Sequence, residues 1–590
     1  MPPVPTQTDP AAVASNGETN SATIGYGEES AEASPHSNSL HNRSGHREHG
    51  DRGFSRQVSV SEAAEKSGTG LTAPAYLRWI EIPFRVTDSV TGLQLPEATG
   101  WGMDSAGRGP LNQVGSYVGA AILRLATVEA QGGKVKGFKP SSLLTLFTSV
   151  IGVIAALSMP IVGAVVDHTH YRRMMGVISG ILSVAFIGGQ IAISENNWFT
   201  ILVIDACQTL VYLVHTTSVF AYLPDLSLDQ DVIANYTSQF NIRQYCGQFV
   251  FVSLVIISGE ARGADRTVES TVQTAKDAAG IAFGFGSLLI GYAWLFLFRD
   301  RPALSKVPEG STLVTTGFVQ VGKTARIIIA NYRALKWFMI SLLWSPEAGA
   351  GVVLSIAVTL LTITIKLSAH EIAITSLMLM IGNLAGSLFS KKVCALINPL
   401  NSYRMGMMCL GTLIACATLY LDGPRKVKES YLTALGWGVA MGWTYPSQRV
   451  LFCTLIPKGQ ETEMMGLFVF VGQILGWLPS LLFTIMNEKG VPLQYGLTLV
   501  GGFCVAAVVF TLPMGNYDEA CRQASVASEQ KLTAVVHATA HNQAVADEKL
   551  ESLEEENGKA STAMTLSGTE ESAPKITEED SALKTEDVEA

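Results

Sequence analysis

A chain of 590 residues that is 48% hydrophobic, only 15% charged and −9 in net charge is too apolar for a soluble globular protein, whose domains carry charge on about a quarter of their residues. The acidic balance and the lack of a basic patch interleaved with aromatics exclude a nucleic-acid partner. Cys207, Cys246, Cys394, Cys409, Cys416, Cys453, Cys504 and Cys521 form no CxxC and lie mostly in apolar segments, so they read as packing residues and not as a disulfide frame or metal site.

Residues 1–75 are polar, rich in Ser, Glu, Ala and His, and are expected to be a disordered tail. They contain no apolar stretch of the signal-peptide kind, so the first membrane span is expected to direct insertion itself. From there the chain presents apolar runs in steady succession. The first, Trp101–Ala126, holds Asp104, Arg108 and Arg124 and is weakly apolar. It is counted because polar transporter helices sit inside a bundle, away from lipid. Leu143–Val166 follows with no charge at all, then Met174–Ile193, Trp198–Leu223, Gln244–Ser258 and Ala278–Phe298. After a polar stretch come Trp337–Ile365, Ile372–Ile397, Met405–Tyr420, Tyr431–Phe452, Met464–Met486 and Pro492–Pro513. At about 20 residues per crossing, the pattern predicts an all-α membrane protein of about twelve spans. They divide into an N-terminal six-helix bundle over 76–298 and a C-terminal one over 337–515. Residues 299–336 form the central loop, with a short helix expected over Val321–Lys336, and 516–590 form a second, acidic disordered tail. Lys and Arg are more numerous on the side of the central loop, which places that loop and both tails in the cytosol.

Five apolar segments carry glycines four apart: Gly115/Gly119, Gly176/Gly180, Gly382/Gly386, Gly438/Gly442 and Gly472/Gly476. Such pairs leave a flat helix face that another backbone can approach. Packing within one tight bundle is the expected use, and the chain is expected to act as a monomer. Gly317-Phe318-Val319-Gln320-Val321-Gly322-Lys323-Thr324 fits the phosphate-binding pattern GxxxxGK[ST]. That pattern needs a strand before it and a helix after it within a nucleotide-binding domain. A loop of this length is too short for one, so no nucleotide cofactor is expected.

The junction after the second run reads Gly163-Ala164-Val165-Val166-Asp167-His168-Thr169-His170-Tyr171-Arg172-Arg173. A glycine, an aspartate four residues on and then paired arginines resemble the loop signature of the major facilitator superfamily. The resemblance implies that Gly163, Asp167, Arg172 and Arg173 form a cytoplasmic gating lock. Within that superfamily, Asp167 to Arg172 is similar to the autophagy-related vacuole effluxers. So are Ile456-Pro457-Lys458-Gly459-Gln460-Glu461-Thr462-Glu463-Met464-Met465-Gly466, Gly100-Trp101 with Asp104-Ser105-Ala106, Tyr222-Leu223-Pro224-Asp225, and Gly317-Phe318 with Thr324. This implies a non-enzymatic transporter in a vacuolar or lysosome-like membrane. It would export amino acids or similar metabolites to the cytosol by alternating access of two bundles. In span ten the family's Gln and Ser-Arg correspond to Tyr445 and Gln448-Arg449, so only the arginine is kept, and in span seven its Ser-Asp-Gly becomes Ser345-Pro346-Glu347, with the acid moved by one; both are positions expected to bind substrate.

Intramembrane charges supply the candidate pathway, because each costs about 2.5–3.5 kcal/mol at mid-bilayer and needs a reason. Asp104 and Arg108, about 40° apart on the helix, can pair on one face. Asp205 and His215 share the fourth span, and the histidine offers a group that can carry a coupling proton. Glu347 lies about 15 Å into the seventh span, beside Pro346, which would break the helix there. It is expected to bind a substrate ammonium or a proton. A proton-coupled sugar or drug carrier of the same superfamily, or a non-transporting receptor or scaffold, are the alternatives.

Overall fold

Each expected span contains a helix. In a computed structural model of the chain, the described residues are 74–86, 95–226, 230–301, 307, 310–345, 355–456 and 461–526, all within one unit, Ser59–Ala590. The first bundle comprises α1 (Pro96–Ala130), α2 (Pro140–His168), α3 (Arg172–Gln190), α4 (Trp198–Phe220), α5 (Gln230–Arg262) and α6 (Val268–Phe285). A linker helix, α7 (Leu313–Asn331), leads to α8 (Arg333–Leu343). The second bundle continues through α9 (Ser355–Thr364), α10 (Ala369–Ile397), α11 (Pro399–Tyr420), α12 (Val427–Leu455), α13 (Glu461–Ile474), α14 (Trp477–Glu488) and α15 (Tyr495–Thr511). Among the described residues, eight helices are long and apolar enough, by length and composition, to cross a membrane. The charged α1 is not among them. It is instead the most enclosed helix, packed against α2, α3, α4, α5, α6, α9 and α10.

Local chemistry sets the helix ends. Proline occupies the first turn of α1, α2 and α11, where its missing N–H costs nothing. Thr312 with Thr315 and Ser368 with Glu371 close capping boxes at the starts of α7 and α10.

Glycine pairs bring helices into backbone contact within the chain. A Cβ on Gly386 would stand 2.1 Å from the Val439 carbonyl oxygen, and one on Gly442 would stand 2.0 Å from that of Asn383. Helices α10 and α12 therefore pack bare face to bare face.

Several boundaries depart from the sequence pattern. The fifth span, expected over Gln244–Ser258, begins fourteen residues earlier, because Tyr236 and Phe240 stack in series onto Trp101 and make its polar first half a packing surface. The helix expected over Val321–Lys336 starts at Leu313 and is broken at Tyr332. Gly317 of the phosphate-loop pattern lies in α7, where a Cβ would come 2.1 Å from the Pro160 carbonyl oxygen. Its backbone is helical and pressed on α2, so it forms no phosphate cradle. The C-terminal tail expected from 516 opens with a helix over residues 517–526. There Tyr517, Ala520 and Ala524 make an apolar face at helical spacing, and Ala520 joins the core. Glu347, Pro346 and nearly all of both tails lie outside the described residues.

Candidate functional site

The charges of the first span are resolved inside the first bundle. Asp104, Arg108 and His215 are each at most 3% exposed. Arg108 Nε donates to Asp104 Oδ2 at 2.5 Å, and its Nη2 donates to Ser105 Oγ at 3.1 Å. The other Asp104 oxygen, Oδ1, faces His215 Nε2 at 2.8 Å and accepts from Trp294 Nε1 at 2.9 Å. The second imidazole nitrogen of His215 lies 3.1 Å from Ser179 Oγ and 3.2 Å from the Gly176 carbonyl oxygen. Arg108 is also within electrostatic reach of Tyr212 on α4 and lies over the Trp101 ring at 5.4 Å. One carboxylate thus gathers three donors from α1, α4 and the last turns of the sixth span.

The sequence presents Asp104, Arg108 and His215 as separate candidates, and the fold brings them together. Trp294, Ser179 and Tyr212 escaped notice because nothing in their own segments marks them. A signal did exist in Gly176/Gly180. A Cβ on Gly176 would come within 1.9 Å of the Trp294 ring, and one on Gly180 would be 3.2 Å from His215 Cε1. The glycine pair of α3 is the space in which the cluster sits. The sixth span widens from α-helix into π-helical turns at Gly286–Ile290 and Ala293–Leu297. Trp294 lies in the second of these turns. Such turns insert an extra residue per turn and re-aim side chains.

Asp205 lies apart from this cluster. It accepts from Gln190 Nε2 at 3.1 Å and faces Gly115 of α1. Tyr445, Gln448 and Arg449 lie on α12; Gln448 is buried, and the other two are half-buried.

At the α2–α3 junction, Arg173 pairs with Asp300 beyond the sixth span at 3.2 Å. Arg172 is buried, donates to the Ala221 carbonyl oxygen at 3.2 Å and lies over the Tyr222 ring at 5.5 Å. Asp167 is half-buried at the end of α2, within electrostatic reach of Arg172 and His168. Gly163 faces open space. A buried pair, Arg301–Glu97 at 3.0 Å, ties the chain leaving the sixth span to the start of α1.

Among the described residues, the polar contacts between the bundles gather at the opposite end. Asn487 Nδ2 donates to Ser141 Oγ and Ser142 Oγ, both at 2.7 Å, and Thr145 and Thr484 meet through their hydroxyls at 2.8 Å. Lys134 pairs with Glu488 at 3.1 Å, Arg266 with Glu371 at 2.5 Å and His370 with Glu260 at 2.9 Å. Arg124 donates to the Leu367 carbonyl oxygen at 2.9 Å. Together these form a clasp around the loops that follow α1, α5, α9 and α14.

Residues 240–525 match the family described as vacuole effluxer Atg22 like. No curated protein matches the chain in sequence. Among solved structures, the nucleoside transporter NupG, in a mutant form, superposes with a TM-score of 0.51 at 14% identity, over 71% of this chain and all of that one. The inward-open xylose transporter XylE from E. coli gives 0.49 at 13% identity, over 70% of this chain and 95% of that one. The chain is therefore a multi-pass membrane protein with the major facilitator fold, and over residues 240–525 it matches the vacuole effluxer family.

Proposed function

We propose that this protein is a secondary transporter that works by alternating access and carries amino acids or similar small metabolites from a vacuolar lumen to the cytosol. The observation that carries the reading is the one-ended clasp. Among the described residues, hydrogen bonds and ion pairs between the bundles, from Asn487 with Ser141 and Ser142 to Arg266 with Glu371, cluster around the loops at one end. With both tails cytosolic, that end faces the lumen, so the arrangement is one closed to the lumen. Rocking of the bundles would break the clasp and admit substrate from that side. The opposite end would close through the junction of Gly163, Asp167, Arg172 and Arg173.

In this reading the Asp104–Arg108–His215 cluster supplies the coupling proton site. Tyr445, Gln448 and Arg449 of α12 would line the path from the second bundle. The vacuolar membrane and the direction of export are supported by the match of residues 240–525 to a vacuole effluxer family; the substrate class rests on the sequence resemblance.

The test is uptake of a radiolabelled amino-acid panel into proteoliposomes, with and without a pH gradient. Saturable flux suppressed by unlabelled amino acids is expected, and its response to the gradient reads out coupling. Flux of sugars or drugs in its place would replace the substrate class. No flux of any small molecule from folded, inserted protein would overturn the transport reading.

A further inference from the structure

Helix α1 is buried along almost its whole length from Glu97 to Ala126, yet Asn112, close to its midpoint, is exposed. Because α1 packs against seven other helices, we read a side chain exposed at its mid-length as facing space enclosed by those helices and not lipid. A carboxamide at that depth is costly unless water or a ligand meets it.

The facing helix supplies a second, independent sign. Three proximities fix α1 and α4 in antiparallel register: Asp104 meets His215 at 2.8 Å, Arg108 is within electrostatic reach of Tyr212, and Asp205 Oδ1 lies 3.7 Å from where a Cβ of Gly115 would stand. That register puts Gln208 level with Asn112. At 100° per residue, Asp205, Gln208, Tyr212 and His215 fall within an arc of about 80°, so Gln208 projects between side chains that all reach α1. Gln208 is 5% exposed, and both its Oε1 and its Nε2 are without a hydrogen-bond partner. A buried amide with neither end satisfied is rare in a native protein and marks a place where a ligand or water belongs.

The charge at this level is one-sided. Arg108 is neutralised by Asp104 one turn away, whereas the side-chain partner of Asp205 is the uncharged amide of Gln190. Gly115 leaves bare space in front of that carboxylate.

We infer that Asn112, Gln208 and Asp205 form a binding site between α1 and α4 for small molecules carrying a primary ammonium. The Asp205 carboxylate takes the ammonium against Gly115, and the two carboxamides take the polar groups beside it. The site deepens the transport reading by naming the chemical class, and it rests on that reading only for the identity of the cargo.

The test needs no known substrate. Asn112→Cys is placed in the full-length protein, and modification of position 112 is followed by mass spectrometry with a cationic and an anionic methanethiosulfonate, each normalised to its rate with a free thiol. The cationic reagent is expected to react about tenfold faster or more, as clefts of one charge sign concentrate counter-ions. Adding Asp205→Asn should erase the preference while leaving elution and thermal unfolding unchanged. Cationic preference without amino-acid flux would keep the site and overturn the cargo. A thiol at position 112 that stays unreactive in folded Asn112→Cys protein, equal rates with both reagents, or a preference that survives Asp205→Asn would overturn the site.

Discussion

The indole of Trp294 lies on the bare backbone of Gly176, so close that a Cβ on that glycine would stand 1.9 Å from its ring. The ring cannot retreat, because it stacks on Phe298 at 4.2 Å and packs edge-on to Tyr222 at 5.9 Å. Its Nε1 is thereby aimed at Asp104. Gly176→Ala should therefore overpack the site, at a cost of about 1–3 kcal/mol or more. It should lower the melting temperature of the solubilised protein, and the shorter ring of Trp294→Phe should restore part of the loss. A Gly176→Ala protein as stable as wild type would refute this packing.

Asp104→Asn removes the negative charge from a site where Arg108 stays buried. Breaking a buried pair on one side costs about 3–5 kcal/mol, whereas replacing both partners by apolar residues is far milder. Asp104→Leu with Arg108→Met should thus melt above Asp104→Asn alone, yet carry no flux in proteoliposomes. If the double variant were no more stable than the single one, the pair would not be the unit argued here.

The clasp can be locked. Thr145 and Thr484 meet through their hydroxyls at 2.8 Å, a separation that lets cysteines at the two positions approach disulfide geometry. Oxidation of the Thr145→Cys, Thr484→Cys protein should arrest flux, and a reductant should restore it. Neither single variant should respond. Continued transport by fully crosslinked protein would mean that the clasp does not open in the cycle.

Two glycines of similar appearance in the sequence should behave oppositely. At Gly442 a Cβ meets the Asn383 carbonyl oxygen at 2.0 Å, backbone that cannot yield, whereas at Gly163 nothing lies within 4 Å. Gly442→Ala should lose most of its folded yield on size-exclusion chromatography, and Gly163→Ala should match wild type in yield and melting temperature. A fall in flux for Gly163→Ala at unchanged stability would place its role in gating.

The spans were legible because crossing a bilayer demands a long apolar run in which every backbone group bonds within its own helix. That requirement is local, so it shows in residues such as Leu143–Val166 without any knowledge of neighbours. Even charged α1 could be read, since its polar residues fall among glycines and alanines suited to an enclosed helix. The extension of α5 was not legible: its first half is polar, and only Trp101, more than a hundred residues away, makes Tyr236 and Phe240 a packing face. The helix at residues 517–526 was hidden for the same reason, as its apolar face is too short to be read apart from the core it covers.

The sequence by itself determined the class of protein, where the apolar spans fall, and which ionisable side chains must be held away from lipid, because hydropathy and desolvation act residue by residue. Tertiary structure alone decided which of those side chains meet. His215 reaches Asp104 across 111 positions because Gly176 and Gly180 clear the space and π-helical turns aim Trp294. Asp205 is left facing Gly115, because antiparallel register between two helices is a relation that neither segment carries alone.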